Sequence, residues 1–68
     1  MLMPDDFGGY TARDLAREAE REARMRRTVY QNRVMTGRMT RRDADNKITM
    51  MEAIAAHFAE LARKERLL

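Results

Sequence analysis

Seven arginines fall between Arg24 and Arg42, at 24, 26, 27, 33, 38, 41 and 42, and that stretch contains no Asp or Glu. A guanidinium can fork onto a carboxylate or a phosphate, so this is the one segment whose residue types point to binding chemistry. Like charges crowded together repel, which predicts either a partner of opposite sign or acids supplied from elsewhere in the fold. The candidate contact residues are Arg24, Arg27, Tyr30, Arg33, Arg38, Arg41 and Arg42. Phosphate backbone and an acidic protein surface both suit such a set, the first with a steep salt dependence.

Other chemistry finds little support in the residues. His57 has Glu60 three residues on but no second imidazole, and the chain has no cysteine, so neither a metal site nor a disulfide is expected. The run Asp43-Ala44-Asp45-Asn46 resembles the start of a calcium loop, but it lacks the central Gly and has Ile54 where a bidentate Glu belongs. There is no nucleophile beside a base, no glycine-rich phosphate cradle and no pair of carboxylates at an acid/base spacing. We therefore expect no enzyme, no catalytic residue and no cofactor. A helix-turn-helix DNA reader is also disfavoured. Arg33 and Asp43 stand where that motif wants small or apolar residues, and both expected helices are too long for its steep crossing.

The elements that position the arginines are set by a start signal used twice, Thr11-x-x-Asp14 and Thr40-x-x-Asp43. In each, the Thr hydroxyl can accept from the backbone N–H three residues on, and the Asp sits in the first turn where the helix dipole favours it. Tyr10 and Leu15 occupy the two positions of a hydrophobic staple. Gly37 is placed for a left-handed residue after a helix C-cap at Thr36. The pattern predicts an all-α fold, a two-helix antiparallel hairpin, with helix 1 over about 12–35, a turn at 36–39 and helix 2 over about 41–66. Residues 1–10 hold the only Pro and two of the three Gly and are expected to form a flexible N-terminal arm, residues 11–68 the hairpin.

The helices differ. Helix 1 has a narrow stripe of Ala12, Leu15, Ala16, Ala19 and Ala23, followed by Tyr30 and Val34, with Glu20–Arg24 and Glu22–Arg26 at the favourable i,i+4 spacing. In helix 2, Ala44, Ile48, Met51, Ala55, Phe58 and Ala62 form one stripe, widened by Ile54, Leu61 and Leu68, with Met50 beyond. Its apolar arc spans about 160°, against the roughly 100° usual for a single buried face. One antiparallel neighbour cannot cover it. A chain of 68 residues also buries little surface alone. We therefore expect a homodimer, a four-helix bundle of two hairpins joined through helix 2 and the alanine face of helix 1. Its interface residues would be Ile48, Met51, Ile54, Ala55, Phe58 and Leu61.

No signal-peptide pattern and no apolar run of membrane-spanning length is present, and helix 2 has too few bases on its polar face for a membrane-surface helix. A cytoplasmic protein without a membrane partner is the expectation.

The stretch Arg26-Arg27-Thr28-Val29-Tyr30, then Val34, Gly37-Arg38-Met39-Thr40, Ala44, Ile48 and Met51-Glu52-Ala53-Ile54, resembles a family of small phage and prophage proteins. These share an R-x-V-Y…V-x-x-G-[RK]-[ML]-[ST]…A…I…M-x-A-I pattern, and the likeness covers about residues 20–60. It implies a small accessory protein that docks on host machinery, including defence and regulatory complexes, and carries over no catalytic or binding residue. Arg27 and Tyr30 are the pattern positions that hairpin physics explains least. Partner classes left open are a host protein, whose activity would be inhibited or modulated, and nucleic acid contacted through its phosphates.

Overall fold

The computed structural model describes residues 7–66 and contains two helices, α1 (Ala12–Met35) and α2 (Arg41–Arg66), packed on one another as a hairpin. Both bounds agree with the sequence expectation, because both ends of α1 and the start of α2 are fixed by caps. At Thr11 the capping box is complete: Thr11 Oγ1 accepts from the Asp14 N–H (3.0 Å), and Asp14 Oδ2 accepts from the Thr11 N–H (3.1 Å). At Thr40 the hydroxyl accepts from the Asp43 N–H at 3.1 Å.

The seam between the helices is made of alanine. Among the described residues, Ala12, Ala16, Ala19 and Ala23 of α1 and Ala44 and Ala55 of α2 are the buried ones, and no large side chain is fully buried. Along α1 the alanines are spaced 4-3-4, and Arg26 and Tyr30 continue the same rhythm. Along α2, Ala44, Ile48, Met51, Ala55, Phe58 and Ala62 repeat it. Such 4-3 spacing keeps one stripe facing its neighbour over many turns. Side chains that end at Cβ let the backbones come close and lose no rotamer freedom on burial.

Three expectations change in this geometry. The alanine face of α1 and Ala55 (6% exposed) are consumed within the hairpin, so neither is open to a second copy. Of the other expected interface residues, Ile48, Met51, Phe58 and Leu61 are half-buried and Ile54 is exposed. Leu68 lies outside the described residues. The pair Glu22–Arg26 forms (3.0 Å), but Glu20–Arg24 does not; Glu18 is taken up by Arg21 instead. Exposed helix pairs contribute only about 0.2–0.5 kcal/mol, too little for spacing alone to choose among neighbours.

The expected arm is also partly ordered. Phe7 and Tyr10 exchange backbone hydrogen bonds (3.2 and 3.3 Å) across Gly8 and Gly9, both at positive φ, as a two-residue type I′ turn requires. The turn lays the Phe7 ring edge-on against Phe58, with centroids 5.3 Å apart. Its anchor, Phe58, is the one aromatic ring of the α2 stripe. Residues 1–6 of the expected arm lie outside the described residues. Tyr10, 61% exposed, and Leu15 line a common hollow with Asp14 and Glu18 at the start of α1. No described helix is long and apolar enough to cross a membrane.

Candidate functional site

The arginines sit on and around a tip whose backbone is tightly specified. After Met35 the chain passes through Thr36 into Gly37 at φ +75°. The Gly37 N–H donates to the Val34 carbonyl (3.1 Å) and the Arg38 N–H to the Arg33 carbonyl (2.8 Å). This is the paired hydrogen-bond pattern of a Schellman motif. Thr36 adds its hydroxyl to the Asn32 carbonyl at 3.0 Å. In that motif the residues at the Arg33 and Arg38 positions usually make an apolar contact. Here both are arginine and both are exposed, so the motif holds two cations in register at a helix C-terminus, where the dipole favours them.

The structure divides the arginine set between two flanks. On one, Tyr30 is half-buried and carries two guanidiniums: the Arg33 carbon lies 5.6 Å from the ring centroid and that of Arg26 6.0 Å. Each contact contributes about 0.5–1 kcal/mol at an exposed site. Arg26 is held further by Glu22 and by donating to the Lys47 carbonyl of α2 at 3.1 Å. On the other flank, Arg24, Arg27 and Arg41 line adjoining grooves between the helices together with Gln31, Asp45 and Glu52. Arg27 is ion-paired with Glu52 across the seam. The acid-free run is thus served in part by acids from elsewhere: Glu22 neutralises Arg26 and Glu52 neutralises Arg27. Arg24, Arg38, Arg41 and Arg42 are exposed and have no carboxylate partner among the described residues.

Arg26 was not a candidate, and the structure makes it the best-anchored arginine of the run. The signal was in the sequence. Continuing the alanine spacing past Ala23 lands on 26, a seam position, so its side chain must lie along the interface with its stem packed and its head turned outward. Its contacts are those of a positioning residue for Tyr30, not of a free contact group. Gln31 and Asp45 also line the Arg27–Arg41 groove and had no sequence signal beyond lying on that face.

At the opposite end two carboxylates are paired within their own helices. Glu18 accepts from Arg21 (Nε, 3.2 Å) and Glu60 from Arg63 (Nε, 3.0 Å). Those hydrogen bonds hold both carboxyls below the ordinary carboxylate value and push both guanidiniums up. His57 is exposed and packs edge-on to Phe58, centroids 5.1 Å apart. No cluster of three His, Cys, Asp or Glu side chains able to hold a metal ion occurs among the described residues.

In comparisons with known proteins, no protein-family model, curated sequence or solved structure matched this chain.

Proposed function

We propose that this chain is a non-enzymatic binding module that docks its arginine-rich tip on an acidic surface of a host protein and thereby inhibits or modulates it. In keeping with the resemblance, the reading is of a phage accessory protein acting in the host cytoplasm on a defence or regulatory complex. The observation that carries it is the set of three exposed, unpaired arginines, Arg38, Arg41 and Arg42, at a tip whose backbone is fixed by the Schellman hydrogen bonds, with exposed Arg24 further along α1. A rigid tip lowers the ordering cost of binding. Arginine is also enriched among residues that dominate interface energetics. Asp45 and Glu52 interrupt the positive flank beside Arg27 and Arg41. That alternation suits a protein surface of mixed charge better than a uniformly anionic phosphate backbone.

The test is the triple variant Arg38→Gln/Arg41→Gln/Arg42→Gln, compared with wild type for affinity toward a purified host protein. These side chains are exposed, so melting should shift by no more than about 0.5 kcal/mol, while affinity should fall at least tenfold. Full binding by the folded triple variant places the contact surface elsewhere. Binding that needs nuclease-sensitive material and weakens steeply between low and physiological salt replaces the protein partner with nucleic acid.

A further inference from the structure

The two flanks of the hairpin are chemically unlike. Beside the stripe that faces α1, helix α2 carries a second one of the same 4-3 rhythm, one residue back: Lys47, Met50, Ile54, His57, Leu61 and Lys64. In α1, Leu15, Glu18, Glu22, Met25 and Val29 follow the same spacing beside the alanine seam. Both second stripes lie on one side of the molecule, because Leu15, Glu18 and Glu22 line a common hollow with Met51, Ile54 and Phe58. There the hairpin leaves large apolar side chains open: Met25 is 46% exposed, Val29 41%, Met50 57% and Ile54 44%. The other flank, lined by Arg13, Arg17, Glu20, Arg24, Arg27 and Glu52 among others, is polar.

We infer that the apolar flank is the seat of a second copy of this chain, packed face to face about a two-fold axis. Two sustained 4-3 seams on adjacent helices are the pattern of a helix that meets two neighbours in a bundle. The flank is also self-complementary in charge. Its α1 edge carries Glu18 and Glu22, paired within the chain to Arg21 and Arg26, and its α2 edge carries Lys64 and Lys47, the latter 4.0 Å from Asp43. A two-fold that sets α1 of one copy against α2 of the other brings opposite signs together. Arg21 and Arg26 leave each carboxylate with acceptor sites to spare. The hairpin alone is a slab of 49 × 20 × 14 Å, one helix thick, with only alanines buried among the described residues. Domains of this kind are completed by a second layer. The seat differs from an interface through the alanine face, which the hairpin itself consumes. It also leaves the Arg24–Arg27–Arg41 flank facing outward, and it stands whether or not the tip binds an acidic protein.

Sedimentation of the full chain across a range of micromolar concentrations tests the assignment. Wild type should run at twice the chain mass of 8.0 kDa. Met50→Glu/Ile54→Glu should raise the dimer dissociation constant on the order of a hundredfold or more, because it buries unpaired carboxylates. Thr49→Glu/Ala56→Glu, on the polar flank, should leave it unchanged. Should the Met50/Ile54 variant unfold, proximity replaces affinity as the readout. The chain has no cysteine, so single Ile54→Cys and Ala56→Cys variants can be treated with a flexible bismaleimide. The first should give a covalent dimer and the second should not. A wild type at single-chain mass throughout overturns the inference, as does a dimer broken or cross-linked through the Ala56 flank and not the Ile54 flank.

Discussion

The two halves of the hairpin solve opposite problems. At the base, Ala12, Ala16, Ala19 and Ala23 are buried, Phe7 caps Phe58, and Glu18 and Glu60 are ion-paired with Arg21 and Arg63, while Arg13 and Arg17 stay exposed. At the tip, bulkier Tyr30, Val34 and Met39 are only half-buried, and exposed arginines stand without acids. The base is arranged to hold the helices together. The tip buries only Ala44 fully, and holds its backbone by hydrogen bonds. Most of the alanine packing thus lies toward the base, and the acid-free arginines lie toward the tip.

That contrast can be broken by truncating one aromatic from each half. Phe58→Ala removes the ring on which Phe7 rests and should cost about 3 kcal/mol, at the low end for a core aromatic because Phe58 is half-buried. Tyr30→Ala should cost less, about 1–2 kcal/mol, since it forfeits two exposed cation–π contacts and a partly buried ring. Urea denaturation gives both values, and a larger loss at Tyr30 would reverse the assignment of stability to the base. At the turn, no atom lies within 4 Å of a Cβ built on Gly37, so strain there comes from the positive φ alone. Gly37→Val should therefore destabilise by about 1–2 kcal/mol and Gly37→Asn by much less, in thermal melts of both variants.

The caps sharpen the comparison at a smaller scale. Thr11→Ala breaks a reciprocal box and should cost about 1 kcal/mol. Thr40→Ala loses one hydroxyl acceptor and should cost roughly half of that, so equal losses in denaturation would mean that the second Asp contributes as much as the first. The smallest effect is acid sensitivity of the base. Hydrogen bonds from Arg21 and Arg63 favour the ionised forms of Glu18 and Glu60 in the folded chain. Their contribution is complete above the unfolded carboxylate value of about 4.5 and is lost as pH falls through the lowered folded values. Both carboxylates are exposed, so the expected loss is slight. Glu18→Gln/Glu60→Gln should flatten the acid limb of a melting-temperature profile by lowering its neutral plateau slightly, leaving the acid end in place.

Much of this fold was legible because its punctuation is local. Thr-x-x-Asp starts a helix by chemistry contained in four residues, and Gly37 ends one by a conformation that other residues resist. The alanine stripe was visible too, but not what it would meet. Ala19 carries no mark that says whether its neighbour is the same chain or another, so the face expected between two copies lies within one. The fate of the arginines needed the second helix in place. Arg27 meets Glu52, 25 positions away, and no local spacing reports that pairing. Phe7 was hidden for the same reason: Gly8-Gly9 signals a turn, while its docking depends on where Phe58 comes to rest.

The symmetry of a hairpin about its turn also bears on how fast the molecule folds. Residues facing each other across the seam are separated by ever longer stretches of chain toward the base. The loops cheapest to close are therefore those at the tip, and closure proceeds from Gly37 outward. The first turns to meet are the ones crowded with Arg33, Arg38, Arg41 and Arg42, whereas the stabilising alanine contacts of the base form last. Added salt shortens the range of arginine repulsion where the barrier is crossed, while leaving the uncharged base contacts almost untouched. Refolding followed by stopped flow should therefore speed up as salt is added, and an anionic partner on the tip should act in the same direction.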